Sequence, residues 1–194
     1  YPVSDIVNFK TLNTTFSVPY EQTFDGEEDI LDFDIITYGG NNAWVIGSAT
    51  STTEDGKSMY ISNDNGLTNE YDYYSTNSYA VLTVNFEDKA EYHLSFDYKV
   101  MGDGYYDYLS VYIAPATESV PTGVYTTTIP STFVPLLVNK NLVENWTNFD
   151  IVLNDVQNST KNIIFRWTND DDDWDDNQPA AAIDNISITG SDCM

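Results

Sequence analysis

Cysteine and histidine are nearly absent, with Cys193 and His93 the only examples. A lone cysteine excludes an intrachain disulfide, so an oxidising environment would be tolerated without being exploited. A lone histidine, with so little cysteine, excludes the usual zinc ligand sets and leaves one base for any nucleophilic relay. His93, Ser95 and Asp97 share one face of a predicted strand, yet residues two apart on a strand lie about 6.6 Å from each other, too far for a hydrogen-bonded relay. Lys and Arg together number 7 against 31 Asp and Glu, a formal charge of −24. That balance excludes attraction to nucleic-acid backbones and anionic lipid surfaces, and leaves cations and neutral ligands. No apolar run approaches the ~20 residues of a membrane-spanning helix, so neither a span nor a signal peptide is expected in this segment. Seven prolines and ten glycines are too few for a low-complexity linker.

What the chain does have is apolar and aromatic residues at the period of a strand. Hydrophobic residues make up 41% of the chain and tyrosine occurs fifteen times, enough to fold and inclined to sheet. In residues 79–86, Ala80, Leu82, Val84 and Phe86 alternate toward a core; in 91–101, Tyr92, Leu94, Phe96, Tyr98 and Val100 do the same. Residues 107–114, 146–153 and 161–168 repeat the pattern, and 43–49 with 57–62 read as a hairpin. Residues 67–78 lack a period and read as an exposed loop; residues 115–132, rich in Pro, Thr and Ser, read as a crossing between two sheets. In the final strand, 179–189, strict alternation places Ala182, Asp184, Ile186 and Ile188 on one face and Ile183, Asn185 and Ser187 on the other. No amphipathic helix interrupts this order. The expected fold is all-β, an antiparallel jelly-roll β-sandwich formed as a single domain by residues 19–190, with 1–18 an irregular lead-in.

The carboxylates are clustered. Asp184 stands between isoleucines, and a buried carboxylate without a partner costs several kcal/mol or takes up a proton. A bound cation would compensate it where basic side chains are scarce. Calcium takes about 6–8 oxygen ligands, and the acids concentrate at 25–29, 64, 170–176 and 184 without any EF-hand spacing. Between Asn169 and Asn177, six aspartates surround Trp174. A ring among acids resembles the makings of a sugar site, where the ring stacks on the apolar sugar face and oxygens bind hydroxyls. The expected ligand-binding residues are Trp174, Asp172, Asp173 and Asp175 with the loop tyrosines Tyr73, Tyr105 and Tyr106; Tyr71 and Tyr74 belong to the same loops. Paired carboxylates for glycoside hydrolysis could be drawn from any of 31 acids, with Asp97, Asp107 and Asp184 the first to test.

With its strands placed, the chain resembles the bacterial cleaved-adhesin and choice-of-anchor J domains, MAM-like modules of gingipain-type haemagglutinin regions. The residues that carry the resemblance are Pro19-Tyr20-Glu21-Gln22-Thr23-Phe24-Asp25, Trp44, Lys57-Ser58-Met59-Tyr60-Ile61-Ser62, Leu94-Ser95-Phe96-Asp97-Tyr98-Lys99, the run from Asp107 to Ile113, Trp146, Ile164-Phe165-Arg166-Trp167 and Ala182-Ile183-Asp184-Asn185-Ile186. The resemblance implies a galactose-binding or MAM-like jelly roll, secretion or surface display, adhesion through carbohydrate or protein, and calcium holding the N-terminal entry to the last strand. The acid after the entry Phe corresponds to Asp25 and the closing-strand acid to Asp184. The family's Asp-Gly-Asp-Gly loop is replaced by Gly39-Gly40-Asn41-Asn42, which lacks its acids. Taken together, the expected calcium ligands are Asp25, Glu27, Asp97 and Asp184. The expected function is a noncatalytic, monomeric, extracellular binding module whose partner is a carbohydrate or a surface protein. A glycoside-processing enzyme and a structural spacer of a larger surface protein are the alternatives.

Overall fold

A computed structural model describes residues 14–26, 32–125, 128–171 and 178–192. Among the described residues fourteen strands follow one another: β1 (Thr15–Ser17), β2 (Tyr20–Gln22), β3 (Asp34–Gly39), β4 (Ala43–Gly47), β5 (Ser58–Ser62), β6 (Glu70–Tyr71), β7 (Thr76–Phe86), β8 (Glu91–Val100), β9 (Tyr108–Pro115), β10 (Val134–Lys140), β11 (Val143–Leu153), β12 (Ser159–Asn169), β13 (Gln178–Pro179) and β14 (Ala182–Ser191). They build an all-β jelly-roll sandwich. One sheet runs β1-β7-β12-β9-β10 with β3 also on β7; the other runs β11-β8-β14-β5-β4 with β2 also on β14; β6 and β13 form a short pair. All pairings are antiparallel except β1 on β7, where Thr15–Ser17, ahead of residue 19, lie parallel to Thr83–Asn85. Among the described residues no helix is long and apolar enough to cross a membrane.

The alternating residues of the long strands meet between the sheets. Leu82, Val84, Val111, Phe165 and Trp167 from one sheet pack on Trp44, Ile61, Leu94, Phe96 and Ile186 from the other, all essentially inaccessible to water. Phe96 meets Phe165 edge-on across the sandwich, ring centroids 5.4 Å apart, a geometry that adds about 0.5–1.5 kcal/mol to the burial itself.

Three expectations from the sequence are corrected. Residues 67–78 are not one exposed loop: Tyr71 is buried in β6 and β7 already begins at Thr76. Polar residues continue that strand because β3 and β12 pair with it on both sides, Gly39 and Asn169 each opposite Thr76. The stretch 115–132 is no crossing between sheets, since β9 and β10, which it joins, are neighbours in the same sheet. Instead, Val120 and Phe133 cover an apolar patch of Tyr79, Val81, Tyr112 and Ile164 on the outside of that sheet. Finally, β14 does not alternate strictly. Its pairing with β8 shifts register between Asp184 and Ser187, with Asn185 at φ 50°. The extra residue lets Ile183, Ile186 and Ile188 all enter the core, while Asp184 lies opposite Asp97 of β8.

Candidate functional site

Two places collect the polar residues singled out by sequence. The first is a carboxylate junction where the chain's entry meets its closing strand. Gln22 pairs with Ile186 and Tyr20 with Ile188, so β2 and β14 are directly bonded. Gln22 Oε1 accepts from Phe24 N at 2.7 Å, and Phe24 takes a left-handed backbone (φ 60°) before Asp25. Asp25 Oδ1 accepts from Lys57 N at 2.9 Å, while Lys57 Nζ donates to the Gly26 carbonyl at 3.1 Å. Asp184 is buried under residues 51–53: Thr52 donates to its Oδ2 from N (2.9 Å) and Oγ1 (2.8 Å), and Asn185 N donates to Oδ1 at 2.8 Å. Burial pushes the Asp184 carboxyl above its ordinary range, the Thr52 and Asn185 donors oppose this, and the Asp25 charge adds to it. Asp97 accepts from Asn148 Nδ2 at 2.9 Å and from Asn185 Nδ2 at 2.8 Å.

Thus Asp25, Asp97 and Asp184 come to one region, while Glu27 lies outside the described residues. No Lys or Arg side chain pairs with these three among the described residues. Their oxygens are the donors a hard cation takes, yet both oxygens of Asp97 and of Asp184 already accept bonds from neutral groups. Among the described residues no three Asp, Glu, His or Cys side chains are grouped closely enough to hold a metal ion.

The second place is a groove at the end of the first sheet where β3 and β12 finish and β7 and β9 begin. Two buried amides lock the loops there. Asn42 Nδ2 lies 3.0 Å from the Asp72 carbonyl and 3.1 Å from Asn169 Oδ1; Asn169 Nδ2 lies 2.9 Å from the Tyr74 carbonyl. Asp107, also buried, accepts from Tyr71 Oη, from Asp103 N at 3.1 Å and from Asp170 N at 3.3 Å. Burial raises its carboxyl pKa against the pull of these three donors. Asp103 Oδ1 in turn accepts from Tyr105 N (2.7 Å) and Tyr106 N (3.0 Å), a tight turn that turns both rings outward, 77% and 53% exposed. Tyr73 and Tyr74 stack at 4.4 Å in the neighbouring loop.

The groove itself has a volume of about 330 Å³ and is lined by Ser75, Tyr106, Tyr108, Tyr125, Arg166 and Asp170 among others. Arg166 lies at its base, donating from Nε (3.0 Å) and Nη2 (2.6 Å) to Asn77 Oδ1 and sitting 6.0 Å over the Tyr79 ring. Of the ligand-binding residues expected from sequence, Tyr106 lines the groove, with Tyr105 and Tyr73 in loops at the same end. Trp174, Asp172, Asp173 and Asp175 lie outside the described residues. Tyr71 is no rim residue, because its ring packs on Trp167 and its hydroxyl serves Asp107. Sequence reasoning missed Tyr108, Tyr125 and Arg166. Period-two alternation does put Tyr108 and Arg166 on the outer face, but only Val124 and Tyr125, brought beside them by the β9–β10 connection, make that face a groove. His93 bonds Glu91 at 3.0 Å and faces Asp150 at 3.5 Å on the other sheet.

No protein-family model matches the chain. No curated protein matches it in sequence. Among solved structures, it is similar to a family 11 carbohydrate-binding module from Clostridium thermocellum in complex with a β-1,3-1,4-mixed-linked tetrasaccharide, at 14% identity over 90% of this chain and 98% of that one, TM-score 0.49. It is similar to the xylan-binding domain from Paenibacillus barcinonensis at 9% identity, covering 90% and 95%, TM-score 0.49. It is also similar to the K1 cleaved adhesin domain of Lys-gingipain from Porphyromonas gingivalis at 13% identity, covering 89% and 98%, TM-score 0.45. None of these three reaches a TM-score of 0.5, and the functional reading rests on the chain's own geometry.

Proposed function

We propose that this chain is a noncatalytic, extracellular carbohydrate-binding module whose ligand occupies the tyrosine-rimmed groove. The observation that carries the reading is the combination lining that groove: exposed rings of Tyr106 and Tyr125 beside the polar groups of Arg166, Asn169 and Asp170. Rings cover the apolar face of a pyranose, and fixed amide, hydroxyl and carboxylate groups bind its hydroxyls. The loops that present them are tied by Asn42, Asn169 and Asp107, so the groove is formed before a ligand arrives and little ordering cost is left to binding.

Titration calorimetry with a panel of neutral and charged oligosaccharides tests the reading. Tyr106→Ala and Tyr125→Ala should each weaken binding about two- to tenfold, the loss of one ring contact worth about 0.5–1.5 kcal/mol, with unchanged melting temperatures. A panel with no heat of binding, or binding indifferent to both substitutions, would remove the groove from consideration. Calcium at the carboxylate junction belongs to the same proposal, supported by Asp97 standing opposite Asp184, by the Asp25 charge felt at Asp184, and by the lack of a basic side-chain partner for these acids among the described residues.

A further inference from the structure

We propose that the groove selects saccharides carrying protonated amines, as in 2-amino sugars, over neutral or carboxylated ones. The inference rests on the carbohydrate reading above and names the class of ligand. It starts from a hydroxyl with nothing to bond. Ser75, a lining residue only 8% exposed, has an Oγ that is buried and without a hydrogen-bond partner. An orphaned hydroxyl of this kind is a cost that a ligand relieves, since a rotation of χ1 between staggered wells turns it toward a guest in the groove.

The charge around that hydroxyl has one prevailing sign. Asp170 lines the groove, Asp103 and Asp107 lie behind Tyr106 and Tyr108, and Asp171 follows on the exposed side. Burial raises the pKa of the Tyr108 hydroxyl, and the charges of Asp103, Asp107 and Asp170 raise it further. The one guanidinium of the groove does not reverse this. Among the described residues lining the groove Arg166 is a single cation, set against Asp103, Asp170 and Asp171 at this end, and its Nε and Nη2 donate to Asn77 Oδ1 within the sheet. An ammonium group on the guest would meet the faces of Tyr106 and Tyr125, attractive to cations, the Asp170 carboxylate and the Ser75 hydroxyl as acceptor. A carboxylated sugar would meet the same acids at a repulsive distance in a molecule of charge −24.

The test is calorimetry on the full chain with four probes at mildly acidic pH: a de-N-acetylated glucosamine hexamer, cellohexaose, a hexagalacturonate and trilysine. The amine hexamer should bind about tenfold more tightly than cellohexaose, about 1.4 kcal/mol. That advantage should vanish between about 0.01 M and 1 M salt, as the screening length falls from about 30 to 3 Å. Ser75→Ala should lower affinity for the amine hexamer severalfold while leaving the melting temperature equal or higher, because it deletes an unpaired hydroxyl; a merely structural serine would instead lose stability. Asp170→Asn should narrow the gap between the amine hexamer and cellohexaose. Equal affinity for those two, a preference for the hexagalacturonate, or an unaffected Ser75→Ala variant overturns the inference while leaving carbohydrate binding intact. Trilysine bound as tightly as the hexamer would show recognition of charge without sugar and overturns it too. Silence from all the saccharides defeats this inference and the carbohydrate reading together.

Discussion

Asp107 and Asp184 are buried carboxylates held by neutral donors, and each has a pKa raised above 3.8 with burial as the leading cause. A raised native pKa means the folded state holds its proton more tightly than the unfolded chain does. The associated stability is therefore fully present below about 3.8 and lost as pH rises through the higher native value. Asp107→Asn should flatten that part of the stability curve relative to the parent protein, as read from urea midpoints across the acid range; parallel curves would contradict the assignment. His93 behaves with the same sign in a different window. Its hydrogen bonds to Glu91 and then Asp150 raise its pKa from 6.5, so it stabilises below about 6.5 and stops doing so as pH climbs through the native value. His93→Gln should remove that slope near neutrality, and a variant that keeps it would place the titration elsewhere. At this scale much was legible from sequence. Tyr105 and Tyr106 read as loop tyrosines, and the structure adds that Asp103 caps both their amides. Ser75 was not legible, because an orphaned hydroxyl is a property of neighbours that local sequence does not name.

Among the elements, β14 shows why a clear pattern can still mislead. The period of a strand is two, so a single extra residue exchanges its faces beyond that point. The sequence shows Ile183, Ile186 and Ile188, a spacing of three and then two, which strict alternation cannot place on one side. The bulge at Asn185 can, and Asn is among the few non-glycine residues at ease with φ 50°. Its side chain is also used, donating from Nδ2 to Thr52 Oγ1 at 3.0 Å and to Asp97 Oδ2 at 2.8 Å. Asn185→Gly should keep the backbone and lose only those bonds, about 1 kcal/mol. Asn185→Val should cost a further 1–3 kcal/mol or so for a β-branched residue forced into the left-handed region. Equal denaturation midpoints for the two variants would refute the role of backbone conformation. The long strands β7, β8 and β12 were readable because nothing breaks their alternation. The covering role of Val120 and Phe133 was not, since they pack on Tyr79, Tyr112 and Ile164, and those outward apolar residues look like ordinary sheet tyrosines and isoleucines until the cover is seen.

For the molecule as a whole, a charge of −24 opposes compactness, so any salt that screens it should stabilise the fold to some degree. Calcium at the junction makes a sharper demand. The entry strand and the closing strand are already hydrogen-bonded through β2 and β14, and Asp25 lies near enough to Asp184 for its charge to be felt there. An ion shared by these carboxylates would bind the folded chain alone and stabilise it by about 2.7 kcal/mol at a hundred times its dissociation constant. For a chain of this length each kcal/mol moves the melting temperature by about 2–4 °C. Calcium should therefore raise the melting temperature by several degrees more than sodium chloride at equal ionic strength, and a chelator should reverse the rise. Asp25→Asn is the informative variant: Asp25 is exposed, and an amide oxygen can still accept from Lys57 N, so the fold should persist while the extra calcium response disappears. If calcium and sodium chloride act alike at matched ionic strength, the response is screening of a strongly anionic surface, and the neutral donors around Asp97 and Asp184 suffice to join the two ends.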